Sequence, residues 1–431
     1  MKSDLIDTQP GPATTAPAGP VPPYPKRWSL GQTFAALRYP NYRLWFVGQM
    51  VSLVGTWMQT TAQGYLIFEL TQSPAYLGYV GFAAGVPSWL FMLYGGVVAD
   101  RVSRRNLLVI TQLIMMALAF ILAVLTATGV VQPWHIILLA LALGTANAFD
   151  APARVSFLLE LVDRDDLTNA VALNGTMFNS AIAVGPAVAG LTYAWLGPAW
   201  CFALNGLSFV AVITALLLMK LTRRPARAKH GRTLDELKAG LKFAAGSPIV
   251  RTLTFMAGIT ALFGMAFATL LPAWAVEILN GDATTNGLLQ SARGVGALCA
   301  ALFIASLGRF QYKGKIMMAG SIIYPSLLLI FSYMRWLPLS LLALVGAGWG
   351  LMSMLNLSNA LVQTHVPDEL RGRVLSIYTL TLFGLMPLGA LMAGALAGAI
   401  GAPNTVRLGA VVPLAVAVFI YLRVPRVRAL S

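Results

Sequence analysis

The sequence predicts an all-α membrane protein, twelve transmembrane helices arranged as two six-helix, pseudo-symmetric bundles. Three observations carry that expectation. Of 431 residues, 58% are hydrophobic and 10% charged, against roughly 25% charge in an ordinary water-covered domain. Apolar runs of about 20 residues, the length that crosses the hydrocarbon core as a helix, recur along the whole chain. The two halves also echo one another. Strand-type alternation is absent, which excludes a membrane β-barrel. Two cysteines, Cys201 and Cys299, are too few for a disulfide scaffold.

The elements follow in order. Residues 1–28 contain Pro10, Pro12, Pro17, Pro20, Pro22, Pro23 and Pro25 among Ala, Thr and Gly. Such a composition cannot bury a core, and it has no apolar stretch of the signal-peptide kind. A disordered Pro/Ala-rich cytoplasmic tail is expected. The N-terminal bundle, 29–220, is expected to cross the bilayer at 43–69, 75–98, 106–128, 134–157, 169–193 and 197–220. A basic cytoplasmic linker, 221–250, contains Thr233 followed by Glu236, a capping pattern, with apolar residues at Leu234, Leu237, Leu241 and Phe243. That segment reads as an amphipathic helix lying on the inner surface. The C-terminal bundle and short basic tail, 251–431, supply spans at 251–278, 285–307, 314–334, 337–362, 373–399 and 405–423.

Charge placement orients the chain. Thirty Lys and Arg against fifteen Asp and Glu leave a net charge of +15. The basic residues fall in short clusters between apolar runs, with no aromatic-basic platform, so nucleic acid is excluded as the partner. One side receives Arg38 and Arg43, then Arg101, Arg104 and Arg105, then the run from Lys220 to Arg232, and finally Arg371, Arg373, Arg423, Arg426 and Arg428. The other side holds only Arg335 and, at an edge, Arg407. The positive-inside bias then places both termini in the cytoplasm of a multi-pass protein of the plasma (bacterial inner) membrane.

Internal repetition supports two bundles. Val162-Asp-Arg-Asp-Asp-Leu167 and Val366-Pro-Asp-Glu-Leu370 both join a fourth span to a fifth. Glu69 closes the first span and Glu277 the seventh, 208 positions later; Arg101 and Arg309 are separated by the same 208. Repeated bundles with a substrate site at their seam are the architecture of alternating-access transporters.

Gly96-Val-Val-Ala-Asp100-Arg101-Val-Ser103-Arg104-Arg105 resembles the loop signature Gly-x-x-x-Asp-Arg-x-Gly-Arg-Arg of the major facilitator superfamily, with Ser103 replacing the second glycine. The resemblance covers roughly residues 35–425. Leu70-Thr-Gln-Ser-Pro74, Asn147-Ala-Phe-Asp-Ala-Pro-Ala-Arg154 and Val366-Pro-Asp-Glu-Leu-Arg-Gly-Arg-Val374 are similar to its enterobactin-exporter-like branch, the transmembrane secretion effectors. The resemblance implies a secondary active exporter of a siderophore or drug-like small molecule, working by alternating access with protons as the coupling ion. A lysolipid or other amphiphile is the alternative substrate. It also implies a cytoplasmic gate of Gly96, Asp100, Arg101, Arg104, Arg105, Asp150 and Arg154. Asp100 would meet the start of the eleventh span, and Arg104 would pair with Asp150. From the residues alone, Arg154 forms a local ion pair with Asp150 across Pro152 or contacts substrate.

Gly185-Pro186, with Gly175 and Gly190, resembles an antiporter signature and reads as a helix-packing motif. Two departures weigh against a visible proton relay: the fourth span lacks a membrane Arg, and the first has no carboxylate at its middle.

Substrate or coupling candidates are Arg293, Glu69, Glu277, Gln63, Trp57 and Asn356. Arg293 lies inside the eighth span, where a cation faces a cavity, pairs with Glu277 or snorkels outward. Glu69 and Glu277 are proton or cation carriers at an outer gate or plain solvated charges. Gln63, Trp57 and Asn356 interrupt apolar runs and line a cavity or join helices. An enzyme is the rival class, along with a receptor or scaffold. His135, His230 and His365 stand apart from any suitably spaced nucleophile, and no phosphate-binding loop or metal-ligand cluster is present. Neither catalytic residues, metal nor cofactor is expected, and a monomer suffices.

Overall fold

Proline opens many of the helices, where its missing N–H has no intrahelical partner in any case. In the computed structural model, residues 34–221, 233–307 and 310–430 are described, apart from the side chains of Met92, Leu93, Asp100 and residues 233–239. The expected tail 1–28, the basic run 222–232 and Arg309 lie outside these. A 3-10 turn, Ala35–Arg38, leads into α1 (Pro40–Thr71), α2 (Pro74–Arg101), α3 (Arg104–Ala127), α4 (Pro133–Leu161), α5 (Leu167–Leu196) and α6 (Pro198–Leu218). The linker helix (Thr233–Gly246) follows. The second half holds α7 (Pro248–Ile278), α8 (Ala283–Ser306), α9 (Lys313–Phe331), α10 (Leu337–Thr364), α11 (Asp368–Ile400) and α12 (Ala402–Arg423), then a short helix, Pro425–Arg428.

Ten of these, α3 to α12, are long and apolar enough to cross a membrane. The other two, α1 and α2, have spanning length; α1 is diluted by Gln49, Gln59, Gln63 and Thr61, all turned into the protein. No strand occurs among the described residues. Connections within each half are a few residues long, so consecutive helices run antiparallel. Gly197 (φ 87°, ψ 169°) joins α5 to α6, and Gly401 (φ 83°, ψ 154°) joins α11 to α12. That backbone region is essentially restricted to glycine, and its use at the same place in both halves is the repeat made visible.

The twelve crossings put the start of α1, the end of α12 and the linker helix on one face, here the terminal face. The other is the distal face. Within the first half α1 packs on α5 and α6, and α4 on α2 and α3. Within the second, α10 packs on α8 and α9, α12 on α9, and α7 on α11. The linker helix docks on α11: a Cβ at Gly240 would lie 2.9 Å from the Ile377 Cδ1, and Phe243 and Ala244 join the apolar cluster of Val374 and Tyr378. Phe243 is thus taken up by protein, whereas Leu241 is 50% exposed.

Helix α7 is irregular. After Pro248–Ile259 it passes through a π turn (Thr260–Gly264), a 3-10 stretch (Met265–Leu270) and a second π turn (Trp274–Ile278) around Pro272. Proline removes a backbone donor there, and local π and 3-10 adjustments re-satisfy the freed groups.

Candidate functional site: the seam between the bundles

Small residues set how closely the halves approach. On α2, Gly78, Gly81 and Gly85 form one stripe against α11. A Cβ at Gly78 would lie 2.8 Å from the Ala390 carbonyl oxygen, at Gly85 2.2 Å from Pro387 Cγ, and at Gly394 2.7 Å from the Gly78 Cα. The pairing of α5 with α8 is equally tight. A Cβ at Gly287 would stand 2.4 Å from the Pro186 carbonyl oxygen, at Gly294 2.6 Å from the Ala183 Cα, and at Gly190 2.9 Å from the Ala283 carbonyl oxygen. Gly185 faces the other way, toward Trp57 Cβ at 2.6 Å on α1. The Gly185-Pro186-Gly190 motif therefore wedges α5 between α1 and α8. Its outlying member, Gly175, has open space around it.

These inter-bundle contacts run from the middle of the helices to the distal face. One apolar cluster there, with Met58, Leu66, Phe68 and Leu77, also takes in Ala273 and Ala283 from the second half. Toward the terminal face the clusters separate. Tyr42, Trp45, Leu108 and Phe157 belong to one half only, Val250, Leu253, Leu361 and Val374 to the other. Among the described residues, the apolar clusters join the bundles at the distal face and separate toward the terminal face.

Arg293 sits on this seam. On α8, Gly287 and Gly294 face α5, Gly296 faces α10, and the exposed Leu288, Val295 and Leu302 form an apolar outer edge. The remaining edge carries Gln290 and Arg293, which helical periodicity turns to the interior side. Arg293 Nη2 donates to Gln290 Oε1 at 3.2 Å, and the buried Tyr324 hydroxyl is a near neighbour without a hydrogen-bond partner. Among the described residues no carboxylate pairs with Arg293. The alternative pairing with Glu277 does not form; Glu277 is exposed in the last turn of α7.

The other candidates scatter along the seam. Trp57 is half-buried and packs edge-on against Phe178 of α5, centroids 5.9 Å apart. Gln63 is buried, whereas Asn356 on α10 is exposed. Glu69 accepts a hydrogen bond from the Tyr193 hydroxyl, with Tyr65 edge-on to Tyr193 at 5.0 Å. That contact ties α1 to α5 near the distal face.

The terminal-face charges differ from the expected set in one pairing. Arg104 does not meet Asp150; its Nη1 donates to Glu160 Oε1 at 2.6 Å. The reason is depth. Asp150 and Glu160 are ten residues apart on α4, about 15 Å along the axis, and Arg104 opens α3 at the level of the α4 end. Asp150 lies fully buried at the level of Thr111 and Gln112, which donate to its Oδ1 at 2.8 and 2.9 Å. Arg154 closes the group, donating to Oδ2 from Nε at 3.1 Å and also from Nη2. The local ion pair across Pro152 is therefore present.

Arg105 donates to the Leu217 carbonyl at 2.7 Å and so caps α6. Arg101 is exposed, a Cβ at Gly96 would meet nothing within 4 Å, and the Asp100 side chain lies outside the described residues. Nearby, Arg38 and Tyr39 engage Asp166, and Arg371 pairs with Asp368. All these pairs lie inside one half.

Sequence reasoning passed over Glu160, Thr111, Gln112, Tyr193 and Tyr324. Nothing local marks them, because each becomes a partner only through the neighbouring helix. The stripe Gly78, Gly81, Gly85 was also passed over, although its i, i+3, i+7 spacing was a usable signal of a close helix crossing.

Comparison with known proteins places this geometry. A family model described as transmembrane secretion effector matches residues 31–431. The Staphyloferrin A transporter of Staphylococcus aureus (strain NCTC 8325 / PS 47) is 26% identical over 380 residues, 84% of this chain and 91% of that protein. The multidrug efflux pump Tap of Mycolicibacterium fortuitum is 26% identical, covering 80% of this chain and 87% of its own. The enterobactin exporter EntS of Escherichia coli O1:K1 / APEC is 26% identical, covering 79% and 81%. Among solved structures, the nucleoside transporter NupG superposes with a TM-score of 0.66 at 16% identity, covering 89% of this chain and 98% of that one. An inward-facing, unoccupied bacterial homolog of the human lysosomal transporter Spinster gives 0.63 at 12%, covering 92% and 96%. At these identities the structures speak for the fold.

Proposed function

The chain belongs to the transmembrane secretion effector family of the major facilitator superfamily, and from that premise we propose that it exports a siderophore or drug-like small molecule by alternating access driven by proton antiport. The observation that carries the reading is the seam, tight at the distal face and divided at the terminal face. Basic residues concentrate on the terminal face, which makes that side cytoplasmic by the positive-inside bias. The cavity then opens to the cell interior, the loading state of an exporter. Export requires the glycine contacts of α2 with α11 and α5 with α8 to loosen while the terminal ends close.

In that closure the end of α2, with Asp100, approaches the start of α11, whose unpaired N–H groups favour an anion. Arg293 supplies an unpaired cation to the cavity, suited to the anionic or polar portion of a substrate. Trp57 and Phe178 offer an apolar wall. Glu69 and Glu277 are the carboxylates placed to exchange protons near the distal side.

The test is flux in proteoliposomes under an imposed proton gradient, over siderophores, drug-like dyes and lysolipids, with and without a protonophore. ATP-independent uptake of a siderophore or dye that collapses with protonophore is expected. Arg293→Gln should cut transport of anionic substrates about tenfold, the scale of one charged hydrogen bond, with neutral ones less affected. Asp100→Asn should reduce export with membrane insertion unchanged. Lysolipid as the sole transported solute overturns the substrate assignment; flux indifferent to protonophore overturns proton antiport.

A further inference from the structure

The corner of the terminal face where α9 begins and α12 ends is unlike the rest of that face. The Gly314 N–H donates to the Leu430 carbonyl at 3.0 Å, and a Cβ at Gly314 would lie 2.3 Å from the Val427 carbonyl oxygen. Val427 itself is fully buried. The chain end is thus laid across the first turn of α9, which brings Arg423, Arg426 and Arg428 beside Lys313 and Lys315. Elsewhere on this face four arginines have carboxylate partners: Arg38 has Asp166, Arg104 has Glu160, Arg154 has Asp150 and Arg371 has Asp368. Here none is found among the described residues. The sequence has no Asp or Glu between Asp282 and Asp368, and none after Glu369. Among the described residues no ion pair involves any of the five cations.

Two exposed aromatic rings frame the group. Lys315 Nζ lies 4.8 Å from the Tyr312 ring centroid, and the Arg428 guanidinium 5.0 Å from that of Tyr421. Just inside the corner, Phe419 and Leu422 are 61% and 68% exposed on one face of α12, an apolar strip running from the charges toward the bilayer interior. A concentrated positive charge at the end of two spans, with tyrosines at the interface and bare hydrocarbon surface beneath, matches one amphiphile throughout.

We propose that this corner is a specific site for an anionic phospholipid. Lys313, Lys315, Arg426 and Arg428 hold its phosphate headgroup, and Phe419 and Leu422 lie against its acyl chains. A free anion would use the charges but not the apolar strip, which is why the lipid is the occupant.

The experiment is native mass spectrometry of the full chain released from nanodiscs of mixed phosphatidylcholine and phosphatidylglycerol. Wild type should retain phosphatidylglycerol preferentially. The K313Q/K315Q/R426Q/R428Q variant should lose that retention about tenfold or more, since each interfacial Lys or Arg adds comparably to anionic-lipid affinity. A charge-matched control, R43Q/K220Q/K242Q/R251Q, should stay within about twofold of wild type, because its cations are dispersed and screened. Both variants are first checked for an unchanged melting temperature in phosphatidylcholine alone; should the corner variant melt early, K315Q by itself is compared with K242Q. Three results would overturn the proposal: undiminished retention in the corner variant, equal loss in the control, or full displacement of the lipid by inorganic phosphate. The second reduces the corner to a diffuse electrostatic effect, the third to a simple anion site.

Discussion

Asp150 anchors the interface of α3 and α4, and its removal should be among the most damaging single changes in the first bundle. The carboxylate is fully buried, with Thr111 and Gln112 on one oxygen and the Arg154 guanidinium on the other. Asp150→Ala leaves a mostly buried guanidinium without its counter-charge and the Gln112 amide, 1% exposed, without its acceptor. Breaking a buried, hydrogen-bonded ion pair by removing one member costs about 3–5 kcal/mol. In a cooperative unit the size of one bundle each kcal/mol moves the melting temperature by roughly 2–4 °C, so a fall of about 6–20 °C is expected. Asp150→Ala/Arg154→Ala should be less destabilised than the sum of the single changes by about 2 kcal/mol, because the stranded cation has gone. The assay is thermal unfolding of purified protein in one detergent, followed by intrinsic fluorescence. A drop below about 2 °C in Asp150→Ala, or strict additivity of the pair, would refute the reasoning.

Three further outcomes are expected. Gly394→Val places its Cβ 2.7 Å from the Gly78 Cα, where backbone cannot yield. Overpacking of about 1–3 kcal/mol should shift the population away from the distal-closed form by about 5- to 150-fold; unchanged spin-label distances across the distal face would contradict it. Arg104→Glu and Glu160→Arg should each lower the melting temperature by a few degrees, about 1 kcal/mol for a pair with side chains 22% and 28% exposed, and the double swap should recover most of it. Arg104→Glu combined with Asp150→Arg should recover nothing. Exchanging Tyr193 for Phe takes away the donor to Glu69 and should destabilise by about 1 kcal/mol, read as earlier melting that Glu69→Gln does not deepen; full additivity of the two would argue that the contact carries no energy.

The boundaries of the helices were legible with little error. The expected span 134–157 is observed as Pro133–Leu161, and 337–362 as Leu337–Thr364. Hydrocarbon thickness and the need to satisfy every backbone group internally constrain each segment by itself, so local composition suffices. The gate was legible only in outline. Arg104 and Asp150 both belong to charged groups near one face, yet their depths differ by nearly three turns of α4, and it is Glu160 that lies within reach.

Arg293 shows the same division. Its presence in an apolar run announced a cavity or a partner, while the absence of a pairing with Glu277 and the nearness of Tyr324 emerged only once α8, α9 and α10 were packed. Taken alone, the amino-acid order determined how many helices there are, how long each is and that two bundles repeat, because these depend on the transfer of contiguous segments into lipid. Tertiary structure decided which end of the seam is sealed and which acid each arginine meets. Those depend on the rotation and depth of helices far apart in the chain, set by glycine-mediated contacts that no single segment encodes.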